Sequence, residues 1–302
     1  MPEAIAAFNG FLMRRRRSHL TLKRYHPFLR DFAAWAGERL PGSIMAAEID
    51  QSFLGEWERS FLERNGRTPS EQTLRNLIGC LSSFYGYLHD FGFLVDEDGR
   101  PVANPMLAIE APRIESGPPD WLRADEDEKL LSTPMNDQEA ILVWLLRLTG
   151  VRLGEALALR WSNVDLTEGT ISVERSKFGK SRVLPILPEL VPRLRAWSAY
   201  VESKGLYDPH GFVLITRNRT PWTQQHAEKL VRRVGERAEL ARRLTPHKLR
   251  RTFGSHLLNR GLRIEVVSAL LGHSHVGITQ KSYAQLLDST VKAEVFAALA
   301  GR

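Results

Sequence analysis

Apolar residues recur every three or four positions through residues 1–112, which is the spacing of amphipathic helices. The longest such stripe covers residues 74–88. Pro27 interrupts the first stripe, so we expect a kink there or a helix that begins later than the stripe does. Thr68 is expected to cap the third helix, with Pro69 at its first position. The pattern predicts a helical first domain with aromatic and leucine side chains in its core.

The second half of the chain combines helical spacing with a short region of alternating residues. An apolar helix over residues 139–148 is expected to end at Gly150. Residues 169–174 and 181–187 alternate β-type side chains on either side of a Lys-Phe-Gly-Lys turn, which predicts an antiparallel hairpin. Residues 212–216 are expected to add a third strand.

A change of composition separates these two patterns. Pro, Gly and Ser replace periodic apolar residues over 111–119, as is typical of a linker. We therefore expect a helical domain at 1–112, a linker at 113–120 and a second domain at 121–302. The predicted fold class is mainly α, with a small antiparallel β-sheet in the second domain.

Positive charge is unevenly distributed along the chain. Between Arg217 and Arg251, eleven Lys or Arg stand against three Glu, a local excess of +8 that exceeds the whole-chain value of +7. Such a basic surface favours an acidic polymer as partner.

The single cysteine, Cys80, excludes an intrachain disulfide and suits a reducing cytoplasm. No apolar run approaches the ~20 residues that span a bilayer, so we expect a cytoplasmic protein with no membrane partner.

Candidate chemistry is concentrated between Thr245 and Tyr283. Thr245 can cap a helix that has Pro246 in its first turn, which places His247 and Arg250 on one face near a helix N-terminus, where an anion is favoured. Taken singly, each residue has an ordinary explanation as a solvated arginine, a core histidine or a packed tyrosine. Their combination within one segment is what indicates a functional site.

The second domain resembles the tyrosine recombinase (phage integrase) family in several motifs that occur in the family's order. The T-G-x-R-x-x-E motif matches Thr149–Glu155, H-x-L-R matches His247–Arg250, L-G-H matches Leu271–His273, and the family's nucleophile matches Tyr283. Alignment of the predicted hairpin matches the family's lysine to Lys177. The first domain resembles the family's core-binding, SAM-like domain more weakly, and the length suits a Xer-like member with two domains.

The resemblance implies a site-specific DNA recombinase or integrase that cuts and rejoins duplex DNA through a 3′-phosphotyrosyl intermediate, with no metal, other cofactor or ATP. Arg152 and Arg250 would hold the scissile phosphate, because planar guanidiniums match two phosphate oxygens and stay charged. Tyr283 would attack the phosphorus, although a phenol with a pKa near ~10 is mostly neutral at pH 7. Lys177 would protonate the departing 5′-hydroxyl.

The resemblance also assigns supporting roles. His247 and His273 would hydrogen-bond the phosphate and handle the tyrosine proton, and Glu155 would orient an imidazole or an arginine. We expect these side chains to converge on one phosphorus, with the Tyr283 phenol oxygen positioned for in-line displacement. His275 lies near His273 in the sequence, but no cysteine or acidic residue has metal-ligand spacing to them, so no metal is expected.

Other contacts with DNA and with protein partners are expected. Basic residues that could contact DNA phosphates elsewhere are Arg14, Arg15, Arg16, Arg17, Arg232, Arg233, Arg242, Arg243 and Lys248. The resemblance implies double-stranded DNA with a specific target site as the substrate, and a synaptic tetramer. An apolar stripe at 290–302 predicts a C-terminal helix that docks on a neighbouring protomer or packs on its own domain.

Two alternatives stay open at this point, a type IB topoisomerase and a non-catalytic DNA-binding protein on the same scaffold. The sequence departs from the common family pattern at Arg251 and Gln285, where histidines are often found, and the spacing from His273 to Tyr283 is one residue longer than in some members. Neither the target sequence, nor the need for a second recombinase, nor the choice between integration of a mobile element and resolution of replicon dimers follows from the sequence.

Overall fold

The chain divides into two compact units, Met1–Ser116 and Gly117–Arg302, and the division falls inside the stretch 113–120 that composition marks as a linker. The computed structural model describes residues 2–15, 19–39, 51–96, 98–113, 120–174, 181–284 and 286.

The first unit is helical throughout its described elements, as the apolar spacing predicts. Its core is rich in buried rings, among them Phe8, Phe32, Trp57, Phe84 and Tyr85. Its α-helices, within the described residues, are α1 (Pro2–Arg14), α2 (His19–Arg39), α3 (Gln51–Asn65) and α4 (Glu71–Asp90). A single turn of 3₁₀ helix comes after them.

Helix α2 begins at His19 and continues through Pro27. Of the two expected alternatives, the later start is therefore wrong, and the kink at Pro27 stays a prediction. A proline inside a helix removes one backbone hydrogen bond. Leu29 and Phe32, which lie after Pro27 on the same helix, are each 1% exposed, so burial of the apolar stripe favours the continuous helix.

Helix α4 begins two residues later than expected. Its N-cap is Ser70, not Thr68, and Pro69 precedes the cap instead of coming after it. Ser70 has an extended backbone, and its Oγ accepts the N–H of Thr73 at 3.2 Å. The Ser70 hydroxyl thus satisfies an N–H of the first turn, which has no partner inside the helix.

The second unit surrounds an apolar helix with shorter ones. This central helix, α6 (Asp137–Thr149), buries Ile141, Leu142, Leu145 and Leu146, and it packs against three later helices, α8 (Val191–Ser203), α9 (Gln224–Arg237) and α10 (Pro246–Asn259). The helices of this unit, within the part of the chain that the structure describes, are α5 (Ala124–Ser132), α6 (Asp137–Thr149), α7 (Leu153–Ala158), α8 (Val191–Ser203), α9 (Gln224–Arg237), α10 (Pro246–Asn259), α11 (Ile264–Leu271) and α12 (Val276–Ser282). The fold class is mainly α with one small antiparallel sheet, as predicted.

The sheet of the second unit has three strands in the order β1 (Val164–Asp165), β2 (Thr170–Val173) and β3 (Arg182–Pro185). Strands β2 and β3 form the predicted antiparallel hairpin, with Ile171 opposite Leu184.

The expected third strand at 212–216 is wrong. Phe212 forms an isolated bridge with Arg160, and Ile215 forms another with Pro221. The chain turns back on itself between Ile215 and Pro221, where Arg219 has a left-handed backbone and Thr216 N–H donates to Thr220 O. The segment thus forms isolated bridges instead of pairing with the three-stranded sheet.

Gly150 ends α6 as predicted and redirects the chain towards α10. Its backbone is left-handed, with φ of 62°, and its N–H donates to Leu146 O. A Cβ at this position would overlap the ring of Phe253 on α10. The tight reversal at Gly150 brings Arg152 to the start of α7, next to α10.

Within the described residues, no helix is both long and apolar enough to cross a membrane.

Gly150→Ala is expected to lower the free energy of unfolding by about 2–4 kcal/mol, because left-handed backbone strain and overlap with Phe253 add together. Gly169→Ala is the matched control, since Gly169 has a similar φ of 64° but open space around its Cα. The control should lose only about 1 kcal/mol. Urea unfolding of both variants measures the difference, and equal losses would show that the contact with Phe253 has no effect.

Candidate active site

Three arginines from distant parts of the second unit meet at the end of helix α11. Arg182 Nε donates to Leu270 O at 2.8 Å, Arg250 Nη2 donates to Leu271 O, and Arg152 Nη2 donates to Gly272 O at 2.8 Å. The last carbonyls of a helix have no partner inside the helix and carry partial negative charge. The end of α11 therefore binds three guanidiniums on consecutive carbonyl oxygens. We call Leu270–Gly272 the carbonyl row.

Local sequence places each of these arginines. Arg152 is the N-cap of α7, directly after the turn at Gly150. Arg250 lies in α10, which Thr245 caps by accepting the N–H of Lys248. The Arg250 side chain is buried, and its Nη1 also donates to Gly150 O, so it joins the ends of α6 and α11. Arg182 begins β3 and is the member of the group that the sequence analysis missed.

Glu155 balances part of this positive charge. Its carboxylate accepts from Arg152 N at 2.8 Å, Arg152 Nη1 at 2.9 Å, Arg182 Nη1 at 3.1 Å and Arg182 Nη2 at 2.7 Å. Burial would raise the pKa of Glu155, but the hydrogen bonds and charge of Arg182, together with the hydrogen bonds from Arg152, outweigh burial and lower it to about 2. Glu155 is thus ionised and hydrogen-bonded to Arg152, and its expected role in orienting that arginine stays a prediction.

His247 is held by Arg251, the residue that departs from the family pattern. Arg251 Nε donates to His247 Nε2 at 3.0 Å, and Arg251 Nη1 lies 3.5 Å from an oxygen of Asp120. Partial burial of the ring, and then the charges of Arg251 and Arg250, lower the pKa of His247. A neutral imidazole whose Nε2 accepts a hydrogen bond carries its proton on Nδ1.

His273 comes directly after Gly272, which ends α11 with a left-handed backbone as predicted. Its Nδ1 hydrogen-bonds Thr279 Oγ1 at 2.7 Å, and Thr279 is fully buried. Burial and then the charges of Arg250 and Arg152 lower the pKa of His273 to about 4. Both candidate histidines are therefore neutral at pH 7, a state in which each ring has one N–H donor.

Tyr283 differs from the expectation. Its ring is 1% exposed and packs in an apolar cluster with Phe253 and Leu271, 5.9 Å from the ring centre of Trp121. The hydroxyl lies against α10 at Gly254, where a Cβ would overlap it. Burial raises the pKa of Tyr283 to about 12, although the charges of Arg250 and Arg251 oppose that effect. The phenol is therefore buried beside Gly254, which lies one helical turn after Arg250 on α10, and is not accessible for the expected in-line attack.

A cavity of about 560 Å³ opens beside the arginines. Arg152, Arg250 and His247, to which the family resemblance assigns contacts with the phosphate, line it. Arg243 lines it too, which brings one of the expected DNA-contacting residues into the same site. The other polar residues of its wall, which the sequence did not point to, include Gln224 and Glu228 at the start of α9.

The remaining expected DNA contacts are dispersed. Lys248 is 4% exposed, and burial lowers its pKa, so in this structure its side chain lies inside the protein and not on the surface. The other described members of the set are at least partly exposed: Arg14 and Arg15 at the end of α1, Arg232 and Arg233 on α9, and Arg242 after it. The expected residues that lie outside the described part of the chain are Lys177, Arg16, Arg17, Gln285 and the helix expected at 290–302.

A signal for Arg182 was present in the strand pattern. Side chains two apart on a strand share a face, so Arg182 shares a face with Leu184, which is 1% exposed, while Val183 between them is 60% exposed. An arginine on an inward face needs an acceptor, and a carboxylate is the side chain that best matches the planar fork of a guanidinium. The pattern did not show which carboxylate, because Glu155 lies 27 residues away.

Among the residues that the structure describes, no group of three or more His, Cys, Asp or Glu is arranged to hold a metal ion. The expectation that no metal is bound stays a prediction.

Comparison with known proteins identifies relatives over most of the chain. Residues 120–290 match the model of the Phage integrase family. A tyrosine recombinase of Thermosipho africanus is 29% identical over 286 residues, which is 92% of this chain and 94% of that protein. The tyrosine recombinase XerC of Xanthomonas campestris pv. campestris is 30% identical over 267 residues, 86% of this chain and 77% of that protein.

A solved structure shares the fold. The XerH site-specific recombinase, crystallised on a palindromic difH substrate after cleavage, superposes with a TM-score of 0.73 and 21% identity. The match covers 92% of this chain and 80% of that one.

Glu155→Gln is expected to lower the free energy of unfolding by about 2–3 kcal/mol at pH 7, because the lowered pKa of Glu155 stabilises the folded state. Since that pKa is depressed, the contribution is complete above the unfolded pKa and is lost as pH falls towards about 2. The gap between wild type and variant should therefore narrow between pH 5 and pH 3 in urea titrations. Exposed Glu168→Gln is the control, and a gap that does not change with pH would contradict the ionic role.

Gly254→Ala is expected to displace the Tyr283 ring, because a methyl group on α10 would occupy the place of the hydroxyl. Nitration of Tyr283 by tetranitromethane, mapped by mass spectrometry, should rise severalfold relative to wild type. Gly277→Ala, on α12 with nothing near its Cα, should leave nitration unchanged. Equal protection of Tyr283 in all three proteins would show that Gly254 does not provide the space for the ring.

Proposed function

The chain belongs to the phage integrase family, and from that premise we propose how its residues carry out tyrosine-type site-specific DNA recombination. The protein is an enzyme of that type, a DNA strand transferase. The observation that carries the residue assignment is the convergence of Arg152, Arg250 and His247 on one cavity, with His273 beside them and Tyr283 one helical turn away.

The two arginines bind the scissile phosphate in this proposal. A phosphodiester gains negative charge on its non-bridging oxygens as a nucleophile attacks, and fixed guanidiniums stabilise that charge. Arg152 and Arg250 are fixed by the carbonyl row before DNA arrives. Each guanidinium has five N–H groups, so both have donors beyond these bonds for a phosphate. Burial lowers the pKa of Arg250 to about 10, which still leaves it charged at pH 7.

The two neutral histidines contribute hydrogen bonds without adding charge. His247 has Nδ1–H to donate, because its Nε2 accepts from Arg251. His273 is oriented by Thr279, which fixes the ring against the end of α11. In the proposed mechanism they donate to phosphate oxygens, and a ring nitrogen accepts the proton that Tyr283 loses.

The covalent step exchanges one ester for another. The Tyr283 oxygen bonds to phosphorus and loses its proton, the bond from phosphorus to the 5′-oxygen breaks, and that oxygen takes up a proton. Lys177, outside the described residues, is the proposed proton donor. The phosphotyrosine conserves the energy of the broken bond, so the 5′-hydroxyl of a second strand reverses the step on a new partner without ATP.

Tyr283 must leave its apolar site for this reaction. Buried and with a raised pKa, the phenol is neutral and inaccessible in the present structure. We propose that binding of DNA moves the segment after α12 so that the hydroxyl enters the cavity beside Arg250. A stored nucleophile would limit cleavage to the assembled protein–DNA complex.

Wider organisation is proposed from the same family membership. Residues 1–112 would form the core-binding domain and 121–302 the catalytic domain, and together they would hold double-stranded DNA at a specific target site. A helix at 290–302 would exchange between protomers in a synaptic tetramer, with or without a second recombinase.

Tyr283→Phe is expected to abolish covalent attachment to DNA, because it removes the attacking oxygen. Duplexes that bind the protein are first selected from a random pool and are then rebuilt with a nick that traps the adduct. Denaturing gels should show an adduct with wild type, and with Tyr207→Phe as the matched control, since Tyr207 is exposed and packs against Trp161 away from the site. An adduct that persists in Tyr283→Phe would refute the assignment of the nucleophile.

A further inference from the structure

Arg182 makes a more extensive set of contacts than its position at the start of a strand suggests. Its side chain is 11% exposed. Both terminal nitrogens donate to the Glu155 carboxylate, at 3.1 and 2.7 Å, and Nε donates to Leu270 O at 2.8 Å. A Cβ on Gly272 would lie 2.7 Å from Arg182 Nη1, so the guanidinium lies directly against the turn that ends α11.

These contacts reach Arg152 by two routes. Through Glu155, Arg182 shares a carboxylate with the Arg152 side chain and backbone N–H. The second route is the carbonyl row. Arg182 donates to its first carbonyl, Leu270 O, and Arg152 donates to its last, Gly272 O. Arg182 itself does not line the cavity beside Arg152 and Arg250. It therefore lies behind the phosphate site instead of in it.

We infer that Arg182 is a positioning residue, which fixes the phosphate-binding geometry of Arg152 by sharing Glu155 with it and by holding the carbonyl row. The inference rests on the proposed role of Arg152. Without Arg182, the Glu155 carboxylate loses two donors and Leu270 O loses its partner, so neither the carboxylate nor the carbonyl row that orients the Arg152 guanidinium is held in place. Arg152 then leaves Gly272 O and the position that faces the cavity.

Loss of cleavage alone would not separate positioning from general support of the fold, so pH is the second readout. In Arg182→Met, the burial of Glu155 is no longer offset by the hydrogen bonds and charge of Arg182, and its pKa rises. The remaining charged groups that face Glu155 are Arg152 at the start of its own helix and Arg250 from α10. His273, after α11, lies beside the same arginines. Protonation of Glu155 then releases Arg152 at mildly acidic pH.

The test measures adduct formation in single turnover on the nicked duplex selected from the random pool, with duplex binding and urea unfolding measured in parallel. Arg182→Met should slow adduct formation about 100-fold while the Kd for the duplex changes less than about threefold, as expected for a displaced transition-state contact. Arg182→Lys should recover part of the rate, because one ammonium keeps the charge but cannot reproduce three directed bonds. Arg160→Met, an exposed arginine bonded to His210 O, is the matched control.

The pH profile decides the mechanism. Arg182→Met should lose about a further tenfold in rate between pH 8 and pH 5.5 relative to wild type. The double variant Arg182→Met, Glu155→Gln should lack that extra loss, because it has no carboxylate at position 155 to protonate. If the unpaired Glu155 carboxylate prevents Arg182→Met from folding, the double variant still allows the measurement. A folded Arg182→Met protein that cleaves within about threefold of wild type would overturn the inference.

Two further outcomes are distinct. Cleavage, binding and unfolding that weaken in parallel with an unchanged pH profile would show that Arg182 only supports the fold, and would also overturn the inference. Absence of a Tyr283-linked adduct in wild type would instead overturn the proposed function, and with it the positioning role.

Discussion

The second unit depends on the binding of three guanidiniums by consecutive carbonyls at the end of α11. Arg182, Arg250 and Arg152 reach this row from up to 120 residues away along the chain. Three like charges in one place repel each other, and the repulsion is offset by the partial negative charge of a helix C-terminus and by ionised Glu155. The result is a cation cluster that exists before any phosphate binds, so little reorganisation is needed when charge develops in a transition state.

Helix α10 connects this cluster to the rest of the chemistry. Its first turns carry His247, Arg250 and Arg251, and Gly254 one turn later provides the space for the phenol of Tyr283. Side chains on one face of a helix keep their mutual geometry, so α10 sets the position of Arg250 relative to the site that buries the Tyr283 hydroxyl. In the proposed mechanism, the fixed guanidiniums bind the phosphate and Tyr283 is the group that moves.

Burial and the neighbouring positive charges determine the protonation state of His247 and His273. The positive field of Arg250, Arg152 and Arg251 adds to burial and keeps His247 and His273 neutral. A protonated imidazole would add a fourth and fifth cation to an already repulsive cluster, whereas a neutral one donates a hydrogen bond and can also accept a proton. Arg251 stands where the family often has histidine, yet it serves the same site by fixing the tautomer of His247.

Much of the fold and of the site could be predicted from local sequence. Gly150 and Gly272 end their helices and Thr245 caps α10, as expected, because each signal involves groups within about four residues of one another. Motif spacing identified Arg152, His247, Arg250 and His273 as candidates, and the structure brings them together.

What only the tertiary structure decided depends on contacts between distant segments. Residues 212–216 form isolated bridges instead of the expected strand, Lys248 lies inside the protein, and the Tyr283 ring packs in an apolar cluster with α10, α11 and Trp121. Arg182 is the clearest case, because its importance lies in acceptors 27 and 88 residues away. The alternating strand pattern predicts only that the Arg182 side chain faces inward. The packing of α7, β3 and α11 determines which acceptors it contacts there.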